Sequence, residues 1–120
     1  MKPKIKYLHS PDIENLESYH PNDPESFVFL LQIMIGPENK DGEESFDVLV
    51  CTPNHLKEKI KKEGIISGGN YLIMNNYSYP ELKAYVENYV TNCTGKKWSE
   101  CANKLSKIGK WEFENYSELT

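Results

Sequence analysis

Cys51 and His55 form the one pair of residues in this chain that we weigh for nucleophilic catalysis. A cysteine becomes a nucleophile when a cation, a base or a helix N-terminus stabilises its thiolate. Cys51 lies directly before a predicted helix start at Thr52-Pro53. It also ends a predicted strand, which favours a packed thiol, and a histidine in the first turn of a helix is typically solvated. A thiol enzyme is therefore kept as an alternative, and no catalytic residue is predicted.

Metal and cofactor chemistry find little support in the residue spacing. His9, His20 and His55 do not form a ligand set with Asp or Glu at helical spacing. The cysteines are an odd number without a C-x-x-C pair, and we expect reduced structural thiols. The segment 64–69 lacks the spacing of a phosphate-binding loop. We expect neither a metal nor a cofactor.

Charge and hydropathy exclude further classes. The formal net charge is −4, and all fourteen basic residues are lysine. The absence of arginine argues against sequence-specific nucleic-acid binding, where bidentate arginine is the usual reader. No apolar run approaches the roughly 20 residues of a membrane span, and the basic start at residues 1–6 is not followed by the apolar stretch of a signal peptide. We expect a cytoplasmic protein that binds neither nucleic acid nor membrane.

Acidic residues are concentrated in the first half of the chain, whereas residues 96–110 are rich in lysine. An acidic surface without a catalytic set suits a basic protein partner, which it attracts and orients electrostatically. Solvated loops that only keep the protein in solution are the alternative. The candidate partner-binding residues are Asp12, Glu14, Glu17, Asp23, Glu25, Glu38, Asp41, Glu43, Glu44, Glu112 and Glu114.

The elements that position these residues follow from periodicity and turn residues. Alternating apolar residues predict strands at 4–8 and 45–51, and a long loop is predicted over 9–25. The segment 26–35 is apolar on both faces except at Gln32, which predicts a central strand. Gly36-Pro37 is expected to end the second strand. The Asp-Gly turn that follows predicts an antiparallel hairpin.

The second half alternates between helices and short strands. Thr52 and Pro53 predict a helix N-cap and first turn, and Gly64 predicts the helix end. Ile65-Ile66 is expected to pack back onto the core, and a short strand is predicted at 71–74. Tyr79-Pro80 predicts a second helix that ends by Gly95. A third helix from Trp98 is expected to stop at a left-handed Gly109, before a last strand at 111–116 with Trp111 and Phe113 in the core.

The length of 120 residues suits one domain over 1–120. Helices and strands neither alternate fully nor separate fully. This order favours an α+β fold, with a mostly antiparallel sheet of about five strands and three helices packed on one face.

Four segments of the sequence together resemble those of a known protein family. They are Phe46-Asp47-Val48-Leu49-Val50-Cys51-Thr52-Pro53 with Leu56, then Tyr79-Pro80, then Gly95 with Trp98-Ser99-Glu100, and finally Gly109-Lys110-Trp111-Glu112-Phe113-Glu114-Asn115-Tyr116. In this order and spacing the chain resembles the Immunity protein 8 family of bacterial polymorphic toxin systems. The likeness runs from about residue 27 to residue 116 and leaves residues 1–25 outside.

The resemblance implies a small α+β protein that binds and neutralises a cognate toxin C-terminal domain without enzymatic activity. The shared phrases are mainly aromatic and apolar, so we interpret them as fold determinants and expect partner contacts in the acidic loops. We expect a monomer or a weak homodimer. A generic interaction module, including a homodimer that pairs through an exposed strand edge, is the second alternative.

Overall fold

A computed structural model describes residues 1–113 as one sheet with flanking helices. The elements are β1 (Pro3–His9), β2 (Val28–Pro37), β3 (Glu44–Cys51), α1 (Pro53–Glu63), β4 (Tyr71–Ile73), α2 (Tyr79–Thr91), α3 (Trp98–Leu105) and β5 (Lys110–Trp111). The predicted α+β class and element order are confirmed. The predicted last strand begins at Lys110, and its residues 114–116 lie outside the described residues. Within the described residues, no helix is long and apolar enough to cross a membrane.

The sheet has the order β1-β2-β3-β4, and β5 pairs with β3 beside β4. The pairs β1/β2, β2/β3 and β3/β5 are antiparallel. β4 runs parallel to β3, because the chain crosses over through α1 before it returns to the sheet. The sheet is therefore mostly antiparallel, as expected.

β2 ends at Pro37, so Gly36-Pro37 does mark the end of the strand, but the strand runs two residues beyond the predicted 26–35. Gly36 pairs with Lys4 and Pro37 with Pro3, so both residues belong to the strand. A Cβ built on Gly36 would lie 2.0 Å from the carbonyl oxygen of Gly42. The glycine is needed for close approach of the hairpin turn and not to break the strand.

One face of the sheet carries the core. Alternate residues of β2 and β3 point to this face, and α2 and α3 cover it. The buried residues shared by these elements are Phe29, Leu31, Ile33, Ile35, Phe46, Val48, Val50, Leu82, Val86, Val90, Ala102 and Leu105.

Helix α1 contributes no buried residue. Its Lys59 Nζ donates to the Tyr71 hydroxyl at 3.1 Å. Tyr71 pairs with Leu49, which points away from the core face. The expected packing of the helices on one face of the sheet therefore holds for α2 and α3 but not for α1. Ile65 is 90% exposed, so the expected return of residues 65–66 to the core is wrong, because this segment links a peripheral helix to a strand at the sheet edge.

Side-chain caps lie at the N-termini of α1 and α2. Thr52 Oγ1 accepts from the His55 N–H at 3.4 Å and also from the Phe27 N–H at 3.2 Å. Ser78 Oγ accepts from the Glu81 N–H at 3.3 Å at the start of α2. The Thr52 cap agrees with the sequence prediction, and its second bond ties the end of the long loop to the start of α1.

An aromatic cluster holds the long loop that precedes β2. Tyr77 contacts Tyr19, Phe27 and Phe29 edge-on, with ring centroids 5.0–6.2 Å apart. The Tyr77 hydroxyl donates to the Leu16 carbonyl oxygen at 2.6 Å. Burial in this cluster, followed by the nearby Tyr79 and Tyr19, raises the pKa of Tyr77 to about 12. The loop is thus fastened to the core at its middle.

Candidate protein-binding surface

The predicted acids lie at two opposite ends of the sheet. Glu38 follows Pro37 at one end of β2. Asp12 Oδ2 accepts from the Leu30 N–H at 2.9 Å near the other end. Leu30 and Pro37 are about 23 Å apart along the strand, at roughly 3.3 Å per residue. The structure therefore groups the acids at each end but does not gather them into one patch.

The hairpin acids are Glu38, Asp41 and Glu43, which are exposed in and around the β2–β3 turn. Within residues 1–113, none of their side chains forms an ion pair or a hydrogen bond; the ion pairs there join Lys59 to Glu63 and Lys83 to Glu87. The turn is anchored, because Lys6 Nζ donates to the Lys40 carbonyl oxygen at 3.0 Å. The hairpin acids therefore offer three available carboxylates on a fixed turn.

The loop acids are Glu14, Glu17, Asp23 and Glu25, all of them exposed on the long loop before β2. Asp23 Oδ1 accepts from the Glu25 N–H at 3.0 Å and so shapes a local turn. Asp12 differs from these four, since its bond to β2 uses the carboxylate to position the loop.

Glu44 also has an internal role. Its Oε2 accepts hydrogen bonds from the indole N–H groups of both Trp98 and Trp111, the latter at 3.3 Å. These are the only tryptophans in the sequence. A single carboxylate at the start of β3 therefore fastens α3 and β5 to the sheet.

Glu112 continues this connection. Its Oε1 accepts from the Ser45 N–H at 2.8 Å, and its own N–H donates to the Ser45 carbonyl oxygen at 3.1 Å. The side chain and backbone of Glu112 thus both bind the beginning of β3. Glu114 lies outside the described residues.

The glycines of the two C-terminal phrases permit close packing. A Cβ on Gly95 would lie 2.7 Å from the Cβ of Glu100, whose Oε2 accepts from the Lys96 N–H at 2.9 Å. A Cβ on Gly109 would lie 3.1 Å from the backbone carbon of Phe46. Among the described residues the glycines with positive φ are Gly42 and Gly64, so the expected left-handed Gly109 is wrong. Gly109 is required by the approach of β5 to β3.

The aromatic residues of the last phrase form a row in which each ring contacts the next. Trp111 stacks on Phe46 with ring centroids 6.2 Å apart and planes 8° from parallel. Phe113 meets Trp111 edge-on at 5.7 Å. Trp111 is partly buried against the core, as expected, but Phe113 is 39% exposed and does not belong to the core. Its position past the end of β5 explains this exposure.

A cleft of about 730 Å³ lies between the edge of β1 and α2. It contains the lysines of β1 and Lys83 together with Glu17, Glu38 and Glu87. Lysine and glutamate side chains are thus mixed along its walls. Charges of both signs line this cleft, so its lining does not favour an anionic ligand over a cationic one.

A second groove, of about 340 Å³, lies between β4 and α2. Residues 71–74 line one side, and Glu81, Leu82 and Tyr85 line the other. Ile73 is 55% exposed and Tyr85 is 57% exposed. The helical periodicity placed Tyr85 on the buried stripe of α2, so sequence reasoning missed this apolar groove. The position of Tyr85 at the outer edge of the apolar stripe was the one signal in the sequence that could have indicated this groove.

Cys51 is fully buried. Burial raises the pKa of its thiol, and the nearby Lys59 ammonium opposes this with a smaller effect. The His55 N–H donates to Thr52, and no hydrogen bond joins His55 to Cys51 in the described part of the chain. A thiol with a raised pKa and no solvent access is a poor nucleophile.

Cys93 and Cys101 are also buried free thiols. Burial raises the pKa of Cys93, which follows the C-terminus of α2 and donates its thiol hydrogen to the Tyr89 carbonyl oxygen at 3.3 Å. Across residues 1–113, no three His, Cys, Asp or Glu side chains are grouped so that they could hold a metal ion. Among the described residues, the free carboxylates thus lie at the surface and the thiols lie in the interior.

Comparisons with known proteins found no match among curated proteins or solved structures. A family model does match. It covers residues 3–116, and so includes β1 and the long loop, which the sequence phrases alone had left outside. The matched segment contains the Glu44 connection to both tryptophans and the glycines that allow it. The chain belongs to the Immunity protein 8 family.

Proposed function

We propose that this protein is an immunity protein that binds the C-terminal domain of a cognate toxin and blocks it by direct contact. It acts in the cytoplasm of the producing cell and catalyses no reaction. Membership of the Immunity protein 8 family is the observation that carries this proposal. The buried Cys51 supports binding over catalysis.

The hairpin acids form the main contact surface in this proposal, and the loop acids extend it. Both sets are exposed, and the hairpin acids have no internal partner in the described residues. A toxin surface rich in lysine and arginine is therefore attracted before contact and oriented as it docks. Asp12, Glu44 and Glu112 support this surface through the fold, because their carboxylates bind the backbone or the tryptophans.

Growth rescue tests the proposal. The toxin domain encoded beside this gene is expressed alone and together with the protein. We expect growth to stop in the first case and to recover in the second, with a one-to-one complex on size-exclusion chromatography. Absence of both rescue and complex would contradict the proposal.

A Cys51→Ala variant separates binding from catalysis in the same assay. We expect it to rescue growth as well as the unmodified protein, since the thiol takes no part. Loss of rescue by a Cys51→Ala variant that folds normally would favour the thiol enzyme. A monomeric mass of the isolated protein would argue against the homodimer.

A further inference from the structure

Within residues 1–113, backbone groups on the outer edge of β4 have no hydrogen-bond partner. The Asn70 carbonyl oxygen accepts from the Leu49 N–H, and the Met74 N–H donates to the Cys51 carbonyl oxygen, both at 2.9 Å. In a parallel ladder, alternate residues direct their N–H and C=O groups to opposite sides. The groups of Tyr71 and Ile73 therefore point away from β3. Among the described residues, β3 is the one strand that pairs with β4.

The groove between β4 and α2 lies directly beside this edge. Leu72, Met74 and Leu82 give it an apolar lining, and Tyr85 forms its far wall. A strand added to β4 would direct alternate side chains into the groove. Edge and groove together thus match the requirements for binding an extended segment.

The opposite edge of the sheet is protected, and β4 is not. β1 carries Lys4 and Lys6, and a register shift interrupts its pairing between Ile5 and Tyr7. Edge lysines and bulges are common devices that prevent a further strand from adding. β4 reads Tyr-Leu-Ile, without charge or bulge in its three residues. The difference marks β4 as the edge that is open to a partner.

We infer that β4 receives an extended strand of the toxin domain, in addition to the contacts of the hairpin acids and loop acids. This inference rests on the proposed function. The strand places an apolar side chain in the groove and a basic side chain against Glu81. Glu81 is exposed at the groove and forms no ion pair in the described residues, so a cation of the partner complements it.

A second copy of this chain fits the edge less well. The three residues of β4 form an edge only about 10 Å long. A stable dimer needs about 800 Å² of buried surface on each partner. Pairing two β4 edges alone would fall well short of this area. A toxin that also contacts the acids obtains the remaining area elsewhere on the protein.

Amide hydrogen exchange measured by NMR tests the inference, in the isolated protein and in its complex with the toxin domain. We expect the N–H groups of Tyr71 and Ile73 to exchange at least about tenfold more slowly in the complex, as newly hydrogen-bonded amides do. The Met74 N–H is the internal control, since β3 already binds it. Unchanged exchange at Tyr71 and Ile73 would overturn the inference. Slower exchange that depends on the concentration of the isolated protein would identify a second copy as the occupant.

Matched substitutions provide the second test. Ile73→Lys places a charge on the edge and should weaken toxin binding by about tenfold or more. Ile65→Lys introduces the same charge at a residue that is 90% exposed and outside the groove, and should leave affinity unchanged. Equal affinities of the two variants and the unmodified protein would overturn the strand inference and leave the proposed function intact. Failure of the unmodified protein to bind the toxin would overturn both.

Discussion

The carboxylate of Glu44 accepts a hydrogen bond from the indole N–H of Trp111 at 3.3 Å, across 67 positions of sequence. The same oxygen accepts from Trp98, which begins α3. Hydrogen bonds to an ionised acceptor are stronger than bonds between neutral groups. The start of β3 is therefore held to both C-terminal elements by one side chain, and this explains why an acid that resembles a surface residue is part of the fold.

Replacing Glu44 by Ala should destabilise the protein by about 2–3 kcal/mol, because two indole donors lose a charged acceptor. Urea unfolding monitored by tryptophan fluorescence measures the effect. Glu43→Ala is the matched control, and should change the unfolding free energy by less than about 0.5 kcal/mol, as is usual for a surface substitution. Similar losses in both variants would show that the hydrogen bonds of Glu44 add nothing to stability.

Trp111→Ala should cost about 3 kcal/mol, near the lower limit for a large aromatic, because the ring is only partly buried. Trp111→Phe should cost less, since it keeps an aromatic ring above Phe46, although it loses the indole donor and part of the ring area. Thermal unfolding of the two variants checks this order. A Trp111→Ala variant that is fully stable but no longer binds the toxin would instead make Trp111 a contact residue.

Gly36→Ala should destabilise the protein by about 1–3 kcal/mol, because the new methyl group meets the Gly42 carbonyl oxygen and the hairpin turn must move. Gly68→Ala is the control, since a Cβ at Gly68 meets no atom within 4 Å. Denaturant midpoints of the two variants give the comparison. Equal midpoints would mean that the turn adjusts without cost.

Stability should fall at alkaline pH through Tyr77. Its pKa is 10.0 in the unfolded chain and about 12 in the folded protein. Between these values the unfolded state has lost a proton that the folded state retains. The contribution of Tyr77 is therefore complete below pH 10 and disappears as the pH rises through about 12.

Urea unfolding at intervals from pH 9 to pH 12 measures this dependence, in the unmodified protein and in Tyr77→Phe. The variant loses the bond to the Leu16 carbonyl oxygen, so its stability should be lower at every pH. Its decline with pH should nevertheless be shallower, because the titrating group is gone. Parallel curves for the two proteins would refute the assignment.

Glu43→Lys, which reverses one exposed hairpin charge, should slow association with the toxin severalfold and change dissociation less. Stopped-flow mixing at low and high salt measures both rates. The association rate of the unmodified protein should fall toward that of the variant as ionic strength rises, since salt screens exposed charges. Glu63→Lys, on α1, is the control for net charge; an equal effect there would show that the hairpin acids have no special position.

Local structure was largely predictable from sequence, whereas close approaches between distant segments were not. The Thr52 cap depends on residues within one helical turn, and the prediction is confirmed. Gly36 and Gly109 resemble strand and helix terminators by type. Their requirement comes from backbone atoms of Gly42 and Phe46, which no local pattern reveals.

The candidate site shows the same division. Sequence identifies acids in polar loops but does not distinguish Glu43 from Glu44, although one is exposed and the other binds two tryptophans. The open edge of β4 could not be predicted either, because it depends on the parallel pairing with β3. Tyr85 follows the helical stripe but lies beyond the reach of the core.

The fastening of the long loop by Tyr77 and Asp12 has a consequence for binding thermodynamics. A mobile loop would lose conformational entropy when a partner immobilises it, and this loss would weaken the complex. Here the middle of the loop is already bound to the core through Leu16, and its start is bound to Leu30. The ordering occurs during folding, so the charges on this loop can meet a toxin with little further loss of freedom.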